Sequence, residues 1–248
     1  MPKKSQNSKA MLRFRAVVNH VKEMLTIPSA HSLVFNTTKD INLFQFSRVC
    51  EADTNDPDKK WLTFDDSMLS GRSKGSFVIV EESASMSNTA NISKSNPTKF
   101  LRWQGTTDTK VREKDIARSG FCSLRSPEFK LTTDTANALK LTLRSDARNY
   151  MINLHVDAWV PGDLYQGYIF PTKKQANKWV TYTLPFKNFL FTSGGRVKDF
   201  QDQSLQDFES INRIAFLVAD GKDGPFQLDI DRIEGITSQI DQERRVVD

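Results

Sequence analysis

The sequence predicts an all-β protein, a two-layer antiparallel β-sandwich or jelly roll, with an amphipathic helix ahead of it. Short segments alternate apolar and polar residues at every second position, which is the period of a strand with one buried face. Turn residues, not helices, join these segments, and the regular strand–helix–strand alternation of a parallel sheet is missing. The clearest segment is Lys178–Phe191, where Val180, Tyr182, Leu184 and Phe186 share one face and Trp179, Thr181 and Thr183 the other. Pro185 has no backbone N–H, so this strand must stop pairing there or lie at a sheet edge.

Three parts are expected: an arm over 1–58, the sandwich over 59–236 and a charged tail over 237–248. In the arm, Met11, Phe14, Val18, Val21 and Leu25 recur at steps of three and four, one apolar stripe of a helix, with Arg13, Arg15 and Lys22 off the stripe. Pro28 ends it. A basic amphipathic helix fits a mitochondrial transit peptide, an anionic membrane surface, a docking partner or the chain's own domain. Ile41 and Phe44 within Asp40–Cys50 have helical spacing and predict a short helix, and Glu51–Lys60 reads as a connector.

About nine strands follow. Phe77–Val80 is a β-branched run, and Thr98–Gln104 carries Phe100, Leu101 and Trp103. Between them, 81–97 is rich in Ser, Asn and Thr; Lys110–Arg118 is a charged loop. After Gly120–Phe129, Leu139, Leu141 and Leu143 alternate with Lys140, Thr142 and Arg144. Across the turn Asp146–Asn149, Tyr150, Ile152, Leu154 and Val156 alternate in the same way, so the two segments are expected to pair as a hairpin. Gln166–Thr172 and Lys178–Phe186 form the next expected pair. Ser204–Ser210 is the one helical stretch of this half, Asn212–Ala219 is apolar on both faces and hence central, and Asp220–Gly224 turns into the last strand, with Phe226, Leu228, Ile230 and Ile233.

The net charge of +5 is unevenly placed. Residues 1–50 hold eight Lys or Arg against two acids, whereas the other 198 residues hold 27 against 28. A nucleic-acid binder carries its basic stripe on the folded surface, so no nucleic-acid partner is expected. The longest apolar run, Ile214–Ala219, is far short of the ~20 residues of a membrane-spanning helix. Cys50 and Cys122 are too few for a disulfide framework and lack metal spacing; they read as small buried hydrophobes.

The residues that could carry chemistry are sparse. Phosphate-binding glycine motifs and a nucleophile elbow are absent, and His20, His31 and His155 lack metal spacing. Asp65 and Asp66 adjoin, and with Asp157 they would make a hydrolase only if they met in one cleft. Asp220 and Asp223 are read as turn formers. No catalytic residue, metal site or cofactor is therefore expected. The distinctive feature is aromatic: Tyr150, Tyr165, Tyr168 and Tyr182 with Trp159 and Trp179 all fall within 150–182. Tyr and Trp cover large area at little entropic cost, which suits protein or sugar recognition. The candidate partner-binding residues are Arg13, Phe14, Val18, Val21 and Lys22 in the arm, with Trp159, Tyr165, Tyr168 and Trp179 in the sandwich.

The ordered set Trp61, Asp66-x4-Gly71-x-Ser73-x-Gly75, Gly120-Phe121, Arg125, Leu141-x-x-Arg144-x-Asp146, Tyr150, Phe170, Trp179, Leu184-Pro185-Phe186, Phe189 and Asp220 to Ile230 resembles the complex I intermediate-associated protein 30 family. The resemblance covers about residues 61–235. Two glycines of the family pattern are replaced: Ser70 stands in its Gly-Gly pair and Ala147 in its Asp-Gly-Arg turn. The resemblance implies a galactose-binding-like jelly roll. It also implies a non-catalytic assembly factor or scaffold for membrane-arm intermediates of mitochondrial complex I, in the matrix and peripheral to the anionic inner membrane. The partners it implies are complex I subunits and other assembly factors. The rival expectations are an accessory subunit that stays on the mature complex and a carbohydrate-binding module.

Overall fold

The computed structural model describes residues 40–46, 56, 58–82, 99–110, 119–157, 162–194, 196–199, 201 and 204–238. The chain divides into two compact units, Met1–Asn36 and Thr37–Asp248, and every described residue lies in the second. The predicted amphipathic helix, the Ser-rich stretch over 83–97, the loop over 111–118, Cys50, Trp159 and the tail from 239 lie outside the described residues.

The described residues form fourteen strands. The first six are β1 (Ile41–Gln45), β2 (Leu62–Asp65), β3 (Lys74–Glu81), β4 (Lys99–Thr107), β5 (Cys122–Arg125) and β6 (Leu131–Thr132). The next four are β7 (Ala138–Ser145), β8 (Tyr150–Val156), β9 (Asp163–Ile169) and β10 (Trp179–Pro185). The chain closes with β11 (Leu190–Ser193), β12 (Arg196–Val197), β13 (Ser210–Val218) and β14 (Gly224–Ile236). Two antiparallel sheets result. One has the order β10-β7-β14-β4-β3, with β1 also on β14; the other runs β12-β11-β9-β8-β13-β5-β2, with β6 also on β13. The expected two-layer sandwich is thus the observed architecture.

The core lies between the sheets because each contributes one apolar face. Leu101 and Trp103 of β4, Leu141 and Leu143 of β7 and Leu228 and Ile230 of β14 meet Leu124, Ile152, Leu154, Ile214 and Phe216 of the opposite layer. All of these are at most 1% exposed. Each such side chain contributes about 1.5–3 kcal/mol by leaving water. β13 is central, as its two apolar faces predict: it pairs with β8 on one side and with β5 and β6 on the other. β10 is an edge strand that ends on Pro185, as a missing N–H requires.

Three expectations are corrected. Ile41–Gln45 is a strand, not a helix, because β14 offers it a row of backbone partners, Arg232 to Gly235. Phe44 and Phe46 then pack on Trp61, at 5.2 and 5.6 Å between ring centroids. The sandwich therefore takes in residues ahead of 59. Second, β7 and β8 are not a hairpin: β7 pairs with β10 and β14, whereas β8 pairs with β9 and β13 in the other sheet. β9 and β10 are divided in the same way. Alternation tells which residues face the core but not from which side, so a strand pair that crosses between layers reads like a hairpin. Third, within Ser204–Ser210 the helical structure is a single 3-10 turn, Leu205–Asp207.

Candidate functional site

The motif residues first explain themselves as joints of the fold. Asp65 caps a short 3-10 turn, and Asp66 behind it is fully buried. The Asp66 carboxylate accepts hydrogen bonds from Ser73 N (2.8 Å), Ser73 Oγ (2.9 Å) and Gly120 N (2.5 Å). One carboxylate thereby ties the start of β3 to the loop before β5. A Cβ on Gly71 would lie 2.7 Å from Asp66 Cβ and closer still to its carboxyl group, so only glycine fits there. Burial raises the Asp65 carboxyl, but hydrogen bonds from Ser67 and Gly75 outweigh it and hold the group below its ordinary value. Asp157 accepts from Asn212 Nδ2 at 2.7 Å. Both adjoining carboxylates are thus committed to holding turns.

A second joint stands beside the first, linked to it by Asp108 N, which donates to Ser73 Oγ at 3.1 Å. The Arg148 guanidinium forks onto Asp220 and donates to Thr107 Oγ1 (2.9 Å) and to the carbonyls of Lys222, Gly224 and Pro225 (2.8 to 3.1 Å). Asp146 accepts from Arg148 N, Tyr150 Oη and Gln227 N, each at 2.9 Å. The Asp220–Gly224 turn is therefore pinned from the β7–β8 crossover.

Both replaced glycines fall on left-handed backbone: Ser70 has φ 62° and Ala147 φ 69°. A side chain there costs about 1–2 kcal/mol, part of which glycine gives back as chain entropy. Ser70→Gly and Ala147→Gly should each raise stability by about 0.5–1 kcal/mol, read as a higher urea midpoint at unchanged m. A loss of stability on both replacements would show that these turns are not strained.

The sandwich presents two outer faces. On the six-stranded sheet, Asp229 is fully buried under Arg102 (Nε to Oδ1, 2.8 Å) and Arg144 (Nε to Oδ2, 2.8 Å). Arg144 continues to Glu82 (2.8 Å) and lies over the rings of Phe100 (4.7 Å) and Trp179 (4.9 Å). Phe100 and Trp179 meet edge to face at 5.3 Å. Every guanidinium on this face is answered by a carboxylate.

The outer face of the eight-stranded sheet is organised in cross-strand rows. Tyr168, Met151, Leu217, Ser123 and Phe64 make a row over five strands that is apolar but for Ser123. Gln166, Asn153, Ala215, Arg125 and Leu62 make the row beside it, and His155 faces Arg213 in the next. Tyr168 Oη donates to Gln166 Oε1 (2.8 Å), whose Nε2 donates to Asn153 Oδ1 (2.9 Å). Arg125 lies over the Phe64 ring at 5.3 Å. Arg213 pairs with Asp58 (2.5 Å) and reaches Glu128 (3.6 Å). Burial lowers the His155 pKa, and the charges of Arg125 and Arg213 lower it further, so the imidazole is held neutral.

The predicted site residues do not gather into one patch. Tyr165 is 0% exposed and packs against Phe191 and Phe208 in the core, because its register partner Leu154 faces inward; it offers no contact surface. Tyr168 is 7% exposed on the eight-stranded sheet, its ring stacked on Phe170 at 5.9 Å. Trp179 lies on the opposite layer. Arg13, Phe14, Val18, Val21, Lys22 and Trp159 lie outside the described residues. The residues that sequence reasoning passed over are Phe64, Asn153 and Arg213; Arg125 enters there only as part of the family pattern, without a role. For Arg125, Asn153 and Arg213 the signal is phase, since each stands one step from a core residue on its strand; Phe64 is placed only by register, which lays the four strands side by side.

The molecule is thus a two-layer antiparallel β-sandwich. It resembles the Family 11 Carbohydrate-Binding Module of cellulosomal cellulase Lic26A-Cel5E of Clostridium thermocellum, with a TM-score of 0.50 at 18% identity over 81% of this chain and 95% of that one. That likeness is one of fold. The chain belongs to the family described as Complex I intermediate-associated protein 30 (CIA30), whose model matches residues 50–230. It is 30% identical over 186 residues to the mitochondrial Complex I intermediate-associated protein 30 of Mus musculus, covering 70% of this chain and 51% of the mouse protein. To the Drosophila melanogaster protein of the same name it is 32% identical over 131 residues, covering 48% of this chain and 43% of that one. The chain spans about half the length of the curated relatives it matches.

Proposed function

We propose that this chain is a non-catalytic assembly factor or scaffold that binds membrane-arm intermediates of mitochondrial complex I on the matrix side, peripheral to the inner membrane. The observation that carries this reading is the family match over residues 50–230. The joints support it: the motif carboxylates Asp66, Asp146 and Asp220 are engaged by backbone amides and by Arg148 as parts of the fold. The work of the domain then falls to its outer faces. The arm, with Arg13, Phe14, Val18, Val21 and Lys22, and the sandwich residues Trp159, Tyr168 and Trp179 are the proposed contacts. An anionic inner-membrane surface is a further proposed contact of the arm.

Deleting the chain in its own cells and resolving mitochondria on native gels tests the reading. The expected result is accumulation of membrane-arm intermediates, with the tagged chain migrating on them. Migration on the mature complex alone would make it an accessory subunit. Its absence from every complex I species would overturn the reading.

A further inference from the structure

On the outer face of the eight-stranded sheet, Arg213 is answered by Asp58 and Glu128, whereas Arg125 on the neighbouring strand is not. It stands outward on β5, between the core residues Leu124 and Ser126. Its Nε is buried and has no hydrogen-bond partner, and among the described residues it makes no ion pair. Its guanidinium lies over the Phe64 ring. An unpaired cationic donor is costly to leave unmade, so the guanidinium gains when an acceptor arrives. The fork of an arginine matches a carboxylate in two parallel hydrogen bonds.

The surroundings define what the carboxylate belongs to. In register with Arg125, Ala215 is small and flat, and beyond it stand the amides of Asn153 and Gln166. Beside this row runs the apolar row of Phe64, Leu217 and Met151. A segment laid across the strands would place an acidic side chain on Arg125, backbone groups on the amides and apolar side chains on the neighbouring row. His155, held neutral, adds no charge of its own. Asp58 and Glu128 flank the face on Arg213 and oppose a broad anionic surface such as a membrane. A single recessed cation with acids at its side suits one carboxylate on a protein, not a lipid headgroup layer.

We infer that the outer face of the eight-stranded sheet receives an acidic segment of a partner protein, with Arg125 as the receptor of one Asp or Glu carboxylate. The inference rests on the assembly reading above and names the chemistry of its partner.

The test uses the full chain and a panel of fluorescein-labelled ten-residue peptides that tile the solvent-exposed loops of the complex I membrane-arm subunits, read by fluorescence anisotropy. The tightest binder is expected to contain Asp or Glu. Arg125→Gln should weaken it about tenfold, as should replacing that acid by its amide, and the two changes together should weaken it little more than either alone. Thermal melting of Arg125→Gln should stay close to that of the parent chain, since the side chain has no ion pair to lose and gives up only the contact over Phe64. Binding unaffected by Arg125→Gln, no Arg125-dependent peptide, or Arg125-dependent capture by phosphatidylcholine–cardiolipin vesicles would each overturn the inference. The native gels stand apart: migration on intermediates with no Arg125-dependent peptide sinks this inference alone, and loss of migration sinks the reading beneath it.

Discussion

Gly71→Ala is expected to destabilise the sandwich by about 3–5 kcal/mol, roughly a 10 °C fall in melting temperature for a unit of this size. The added methyl would occupy the space of the Asp66 carboxyl group, which is fully buried and cannot swing to solvent. Either the turn opens or the carboxylate leaves Ser73 N, Ser73 Oγ and Gly120 N unanswered. Each buried donor so orphaned costs about 1–3 kcal/mol. Asp66→Ala removes the same carboxylate and should cost as much, whereas Asp66→Asn keeps one acceptor and should cost less. Urea unfolding of the three variants measures the order. A Gly71→Ala loss under about 1 kcal/mol would mean that the turn has room, contrary to the geometry.

Arg148→Ala is expected to cost a similar amount, about 3–5 kcal/mol, because it strands Asp220. The Asp220 side chain is 2% exposed, and the guanidinium is the close charge that answers it, with Lys222 Nζ standing off at 3.8 Å. The same change frees Thr107 Oγ1 and the carbonyls of Lys222, Gly224 and Pro225. Arg148→Lys should recover little, since a single ammonium cannot reproduce a fork directed at six oxygens. The double change Arg148→Ala with Asp220→Asn should be milder than the two single losses added together. Simple additivity in that cycle would show that the two side chains act independently.

The fates of the predicted residues show where the sequence was legible. Leu139, Leu141 and Leu143 were assigned to the core by their spacing, and they are there at no more than 1% exposure. The same spacing misassigned their partners, since β7 and β8 belong to different sheets. Tyr165 and Tyr168 were grouped as one aromatic surface, yet an odd separation sends them to opposite faces of β9. Asp66, Gly71 and Ser73 were recognised as a motif, but their reason was hidden: it is Gly120, a residue 54 positions on, that completes the carboxylate's shell. Ile41–Gln45 reads as helix in isolation and is a strand because β14 is beside it.

What the sequence determined on its own is the two-layer class, the identity of the core residues and the family, because alternation and turn chemistry are local properties written in consecutive side chains. What the tertiary structure decided is which strands are neighbours, and with that the two joints and the row that holds Arg125 beside Phe64 and Ala215. Those depend on pairing between strands far apart in the chain, and no period of two can specify a partner.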